Sequence, residues 1–145
     1  MKAVVQRVSE AGVQFRNEKR DITKGIVVFL GIGRDDTEKD VEYMAEKIAN
    51  LRIFEKEGKM SLSLKDIEGE SLVISQFTLY GDCSKGRRPD FTLAEEPARA
   101  KELYERFINI LEEKGIAVKK GEFGENMLVR IYNDGPVTIL LENKK

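Results

Sequence analysis

Apolar side chains recur along this chain with two different periods, and each change of period marks an element. Residues 3–8 and 11–16 read as two strands. Asn17 and the charged stretch to Asp21 separate them from Gly25-Ile26-Val27-Val28-Phe29-Leu30-Gly31, a β-branched and aromatic run suited to a strand buried on both faces. From Asp36 the spacing becomes helical: Val41, Met44, Ala45 and Ile48 form one stripe, with Asp36 or Thr37 placed to cap the first turn and an end near Asn50. Residues 71–80 return to a strand. Thr92, with Glu95 three positions later, then announces a second helix that accepts Pro97 in its first turn and stops at Gly115. It turns Ala100, Leu103, Tyr104, Phe107, Ile110 and Leu111 inward. Residues 116–120, 127–132 and 137–141 give three more strands. Strands arriving in groups, interrupted by two helices, predict an α+β class with a mixed or mostly antiparallel sheet rather than a regular βαβ winding.

Composition narrows the chemistry. At 145 residues, with no linker, repeat or low-complexity tract, residues 1–145 read as one compact domain. Hydrophobic residues at 41% and charged residues at 35% describe a soluble globular chain without membrane spans. The chain has no histidine, which removes imidazole relays and His-containing zinc sites, and its single cysteine, Cys83, builds neither a disulfide nor a Cys-rich metal site. No metal or other cofactor is expected. The segment Met1-Lys2-Ala3-Val4-Val5-Gln6-Arg7 lacks an apolar run of signal-peptide length, so a cytoplasmic location is expected. The net charge of −1 attracts no polyanion globally, and any nucleic-acid contact must come from a local cluster.

Gly31-Ile32-Gly33 follows a strand and precedes a helix, but Asp36 stands where a dinucleotide fingerprint needs its third glycine; a tight turn explains it better. Lys85-Gly86 lacks the leading spacing of a phosphate-binding Walker loop. Most carboxylates, such as Glu42, Glu46 and Glu102, belong to solvated helix faces, which leaves Asp82 and Asp134, each at a strand end, as second-tier candidates. Within Leu72-Val73-Ile74-Ser75-Gln76-Phe77-Thr78-Leu79-Tyr80, read as a strand, Gln76 and Thr78 share one face with Leu72 and Ile74 while Ser75 interrupts the other, so three polar residues sit inside an apolar strand. Either this is an edge strand whose polar groups meet solvent, or they line a pocket where backbone N–H groups at the strand end bind an oxyanion. Asn133-Asp134-Gly135-Pro136-Val137-Thr138 places Gly-Pro between two strands, a hairpin turn by composition and one of few places that tolerate a cis peptide bond. Cys83-Ser84-Lys85-Gly86-Arg87-Arg88-Pro89 is the densest positive cluster, either a mobile surface loop or a phosphate clamp. Cys83 has no histidine to activate it.

Ser75-Gln76-Phe77-Thr78-Leu79 and Asn133-Asp134-Gly135-Pro136-Val137-Thr138 resemble the two signature motifs of D-aminoacyl-tRNA deacylases, and both are complete. The resemblance extends to Ala3-Val4-Val5-Gln6-Arg7-Val8, Leu51-Arg52-Ile53-Phe54, Lys59-Met60-Ser61-Leu62-Ser63-Leu64 and Lys85-Gly86-Arg87-Arg88-Pro89. Gly81, Cys83 and Asp90 depart from the pattern outside the signatures. The resemblance implies a barrel-like sheet and hydrolysis of the ester joining a D-amino acid to the terminal ribose of tRNA. It also implies a homodimer with its pockets at the subunit interface. A cis Gly135-Pro136 segment of one subunit, held by Arg7, would enter the Ser75–Thr78 pocket of the other and exclude L side chains with main-chain atoms. Glycine, with no side chain to exclude, should then be removed from tRNA as well. Thr78 is the positional nucleophile, yet no base accompanies it; attack by water or through the ribose 2′-hydroxyl, with N–H groups around Phe77 and Thr78 stabilising the oxyanion, is the expected route. Lys85, Arg87 and Arg88 would contact tRNA phosphates. A nucleic-acid-binding module without catalysis is the alternative from another class. A small-molecule esterase would need a nucleophile elbow or triad that is not present.

Overall fold

The computed structural model describes residues 1–143. The strands are β1 (Lys2–Phe15), β2 (Glu18–Ile22), β3 (Gly25–Gly31), β4 (Phe54–Lys56), β5 (Lys59–Leu62), β6 (Glu70–Ser75), β7 (Ala117–Lys120) and β8 (Leu128–Glu142); the helices are α1 (Glu38–Ala49) and α2 (Pro97–Glu113). The main sheet runs β2-β1-β3-β6-β7, with β8 also paired to β1. The pairs made by β1 are antiparallel, whereas β3-β6 and β6-β7 are parallel. The sheet curls nearly closed: Arg20 Nη1 of β2 donates to Lys120 O of β7 at 2.7 Å, and Lys119 Nζ donates to Asp21 O at 2.6 Å. The α+β class and the barrel-like mixed sheet are as expected from the sequence.

Alternation along the central strands splits the apolar side chains between two cores. Ile26, Val28 and Leu30 of β3 and Val73 of β6 pack beneath the helices with Met44, Ile48, Leu103, Phe107 and Leu111. Val27, Leu72 and Ile74 point the other way, into the barrel, against Val8, Ala11, Val13 and Phe15. Each such side chain contributes roughly 1.5–3 kcal/mol on burial. The Tyr104 hydroxyl, inside the helix-side core, donates to Val73 O at 2.8 Å. Thr37 caps α1, its own N–H donating to the Asp40 carboxylate at 2.7 Å. Asp36 is instead buried, accepting the Gly33 N–H at 2.6 Å. Among the described residues no helix is long and apolar enough to cross a membrane.

Several expectations need correction. The strands expected over 3–8 and 11–16 are one strand, β1, which pairs with β3 through its first half and β2 through its second and ends at Phe15, leaving Arg16 in the turn with positive φ. The charged stretch to Asp21 is itself strand β2, stabilised by that ladder despite its polarity. The strand expected over 71–80 ends at Ser75, so Gln76 and Thr78 do not share a strand face with Leu72 and Ile74. Thr92 and Glu95 do not cap α2: Glu96 occupies the cap position, Pro97 opens the helix, and the Thr92 N–H donates to Asp90. The strands expected at 127–132 and 137–141 are one strand, β8, and Gly135-Pro136 forms a bulge in it rather than a hairpin turn. Finally, β4 and β5 form a hairpin through Glu57 and Gly58, both with positive φ, a turn the hydrophobic pattern does not announce.

Candidate active site

The first candidate segment hangs from the end of β6. Gln76 N–H donates to Leu30 O at 2.8 Å, and the chain then turns into a single 3₁₀ turn over Phe77–Tyr80, closed by Gly81 N–H donating to Thr78 O at 2.9 Å. The N–H groups of Phe77 and Thr78 open this turn and have no acceptor within it, the arrangement that makes helix starts receptive to an oxyanion. Gly31, the last residue of β3, and Gly33 just beyond it explain where the turn can sit. A Cβ on Gly31 would lie 3.0 Å from Gln76 O, and one on Gly33 would lie 2.7 Å from Tyr80 Oη. Gly31-Ile32-Gly33 therefore admits the turn against the end of β3. Lys2 Nζ lies 4.8 Å above the Tyr80 ring. Burial, followed by the carboxylates of Asp36, Glu142 and Asp40, pushes the Tyr80 phenol well above its ordinary range, so it holds its proton at neutral pH.

Ser75, Gln76 and Phe77 line a cleft of about 290 Å³ whose opposite wall is Gly124, Glu125, Asn126 and Met127. Ile74 and Val129 complete its lining. The 124–127 segment is a wall of this cleft that sequence reasoning missed; its local signal is a polar Gly-Glu-Asn turn between two strands. Arg16 Nη2 fixes Glu125 at 2.8 Å. Thr78 is exposed, and its hydroxyl oxygen accepts a hydrogen bond from the Gln76 side-chain amide. An amide donor withdraws density from that oxygen and cannot take its proton. No carboxylate or amine hydrogen-bonds Thr78 among the described residues.

The second candidate segment lies in β8 opposite Arg7. Gln6 pairs with Thr138 and Val8 with Asn133, so residues 134–137 have no ladder partner among the described residues and form a bulge. Arg7, only 7% exposed, anchors the bulge from beneath: Nε donates to Asp134 O at 3.1 Å and Nη1 to Ile53 O at 2.8 Å. The Asp134 carboxylate itself is exposed, 3.8 Å from Arg7 Nε. Asn133 braces the far side, its Oδ1 accepting Val137 N–H at 3.1 Å and its Nδ2 donating to Thr138 Oγ1 at 2.9 Å. The Gly135-Pro136 bond is cis, and both residues are exposed. Within one chain, Arg7, Gly135 and Pro136 come together, as do Ser75, Gln76, Phe77 and Thr78. No hydrogen bond, ion pair or ring contact joins the two groups among the described residues.

The basic loop follows the 3₁₀ turn and is tied at its base by reciprocal Asp82–Asp90 backbone bonds of 2.8 and 2.9 Å. Lys85, Arg87 and Arg88 are exposed and form no ion pair among the described residues. Lys85 and Arg88 share a concavity with Asp82 and Asp90, so part of the positive charge is offset locally. Hydrogen bonds from Ser84 hold the Asp82 carboxyl below its usual range, and the Thr92 N–H does the same for Asp90. Asp82 is thus a turn former. Among the described residues no group of His, Cys, Asp or Glu side chains could hold a metal ion.

The family sequence model for D-Tyr-tRNA(Tyr) deacylase matches residues 4–142. A D-aminoacyl-tRNA deacylase of Thermotoga petrophila is 57% identical, covering 100% of this chain and 99% of the relative, and one of Clostridioides difficile is 55% identical with the same coverage. A solved structure described as c-Myc DNA Unwinding Element Binding Protein superposes with a TM-score of 0.93 at 46% identity over 100% of both chains. A probable eukaryotic D-amino acid tRNA deacylase, 19% identical, shares the fold at a TM-score of 0.85 over 97% of each chain. With nearly its whole length matched and both signature segments intact, the chain belongs to the D-Tyr-tRNA(Tyr) deacylase family.

Proposed function

We propose that this chain hydrolyses the ester of D-aminoacyl-tRNA in the cytoplasm, releasing free D-amino acid and tRNA, and that it spares the L-ester by steric exclusion. The observation that carries the reading is the Gly135-Pro136 bulge, pushed out of β8 and anchored from below by the buried Arg7. A protruding, braced main-chain segment suits a wall that rejects one configuration at the α-carbon. Glycyl-tRNA, which presents no side chain to that wall, is a second substrate on this reading. Incubation with matched D- and L-aminoacyl-tRNA tests it: stereoselective ester loss supports the deacylase, no loss leaves a nucleic-acid-binding module, and loss of both esters indicates an unselective esterase.

The wall serves a second copy of the chain. β8 pairs with β1 along one edge and has no ladder partner along the other among the described residues. Its Leu128, Tyr132 and Leu140 are 72%, 50% and 77% exposed. An open strand edge carrying large apolar side chains is a template for pairing with another chain, and a two-fold dimer covers both copies at once. In that dimer the bulge of one subunit reaches the Ser75-Gln76-Phe77 cleft of the other.

Chemistry in the cleft proceeds without an acyl-enzyme. Water attacks the ester carbonyl, its proton passing to the departing ribose oxygen directly or through the neighbouring 2′-hydroxyl as the ester C–O bond breaks, while the Phe77 and Thr78 N–H groups receive the developing oxyanion, each such donor being worth ~2.7–4 kcal/mol. Gln76 positions Thr78 rather than activating it. Thr78→Ala is expected to keep turnover within about tenfold of the unsubstituted chain, whereas removal of a true nucleophile costs on the order of 10⁴-fold or more. Single-turnover hydrolysis with a search for acylated protein checks this; a trapped acyl-Thr78 would establish covalent catalysis.

For tRNA, three exposed cations neutralising about three phosphates give a log–log salt slope near ~−2. Arg87→Glu combined with Arg88→Glu should raise KM and flatten that slope while leaving kcat close to its original value. Steady-state kinetics at several salt concentrations measure both, and an unchanged KM and slope would remove the loop from the tRNA interface.

A further inference from the structure

We propose that Phe91, outside both signature segments, is a positioning residue that sets the Phe77–Tyr80 turn from the closing end of the basic loop. Phe77 is 57% exposed although its backbone N–H opens the turn, so little of the core holds its ring. The ring contact it makes is with Phe91, edge to face, at a centroid distance of 5.0 Å and an interplanar angle of 70°. Phe91, itself 36% exposed, is held through the backbone on both sides. The preceding Asp90 is locked to Asp82 by the paired backbone bonds, and the Phe91 carbonyl accepts Ala94 N–H at 3.0 Å. Gly81 runs through the junction: a Cβ there would lie 3.1 Å from Phe91 Cε1 and 3.1 Å from Thr78 O. The turn's last hydrogen bond, the return of the loop and the Phe77–Phe91 pair therefore form one packed unit, with the candidate oxyanion donors at one end and Lys85, Arg87 and Arg88 at the other.

An edge-to-face pair has a preferred geometry that aliphatic contacts lack, so it restrains the orientation of Phe77 as well as its depth. Because the N–H groups of Phe77 and Thr78 must point at one small volume, loosening this ring lowers the fraction of molecules with both donors aligned. The consequence falls on turnover. Substrate binding changes less, because the basic loop stays tied by the Asp82–Asp90 backbone bonds and Phe77 is one of several residues lining the cleft.

The inference rests on the proposed deacylase reading, and its test separates the two. Steady-state hydrolysis of D-aminoacyl-tRNA by the full chain and by its Phe91→Ala, Phe91→Leu and Phe91→Tyr variants is expected to show kcat lowered about three- to tenfold in the alanine and leucine forms. KM should change by less than about twofold, and tyrosine, which restores the ring, should restore kcat. In ¹H–¹⁵N spectra the Phe77 and Thr78 amides should shift in the alanine and leucine forms, with those of Val5 and Val28 unmoved. Unchanged kcat, a rise in KM alone, or no rescue by tyrosine would overturn the positioning role. If the unsubstituted chain hydrolyses no ester, the functional reading fails instead, while the amide shifts still decide whether Phe91 sets the turn.

Discussion

Replacing Arg7 by alanine is expected to lower the preference for D- over L-aminoacyl-tRNA by at least about tenfold, the scale on which a loosened steric pocket loses discrimination. Arg7 is 7% exposed and spends its guanidinium on two carbonyls, Ile53 O at 2.8 Å and Asp134 O at 3.1 Å. One carbonyl belongs to the segment leading into the hairpin, the other to the first residue of the bulge. Alanine leaves both without this donor and opens a cavity beneath Gly135, so the bulge loses its floor. Hydrogen bonds to a charged group contribute ~1.5–3 kcal/mol each, a large share of a net stability of ~5–15 kcal/mol, and the melting temperature should fall as well. Selectivity is nonetheless a clean readout, because the ratio of D to L rates on one sample cancels the fraction folded. Arg7→Lys should be intermediate, since an ammonium lacks the planar fork that spans two acceptors. Parallel D- and L-ester time courses below the melting transition measure the ratio; undiminished selectivity in Arg7→Ala would show that the guanidinium does not hold the discriminating wall.

What could be read from the chain, and what could not, divides along local and non-local causes. The stripe Val41, Met44, Ala45 and Ile48 and the run Gly25–Gly31 are periodic in themselves, and both elements stand where the pattern puts them. Ser75-Gln76-Phe77-Thr78 alternates as a strand would, yet β6 ends at Ser75, where the turn docks on the end of β3 against glycines distant in sequence. Gly135-Pro136 reads as a hairpin because proline cannot donate to a ladder. Whether such a break reverses the chain or only bulges it depends on the neighbouring strand, and β1 is long enough to receive both halves of β8. Glu18-Lys19-Arg20-Asp21-Ile22 carries charges that argue against a strand, and only its ladder with β1 explains it. The site follows the same division. Ser75, Gln76, Phe77, Arg7, Gly135 and Pro136 could be named from motifs, whereas the cleft wall at 124–127 and the buttress at Phe91 exist only once the chain is folded.

Gly135→Val is expected to reduce D-aminoacyl-tRNA hydrolysis by at least about a hundredfold with only a small change in melting temperature. Gly135 has φ +126°, a region that L side chains rarely adopt, and a Cβ there would sit 2.9 Å from both Arg7 Nη2 and Val137 Cγ2. Holding a branched residue in such a conformation costs of order 1–3 kcal/mol. The exposed bulge, with no ladder bonds to lose, can relieve that strain by moving while the sheet stays folded. Displacement of the wall is therefore the main effect, and mixing experiments tell which subunit feels it. Ser75→Trp places an indole in the cleft of about 290 Å³ and should abolish activity in its own way. If the bulge acts on the partner's cleft, a dimer of one Gly135→Val and one Ser75→Trp subunit has one doubly damaged site and one intact site. Random pairing makes about half the dimers mixed, so a co-refolded equimolar sample should regain about a quarter of the unsubstituted activity per site. A bulge that serves its own chain's cleft leaves every site damaged, and the mixture then stays at the mean of its two inactive parents.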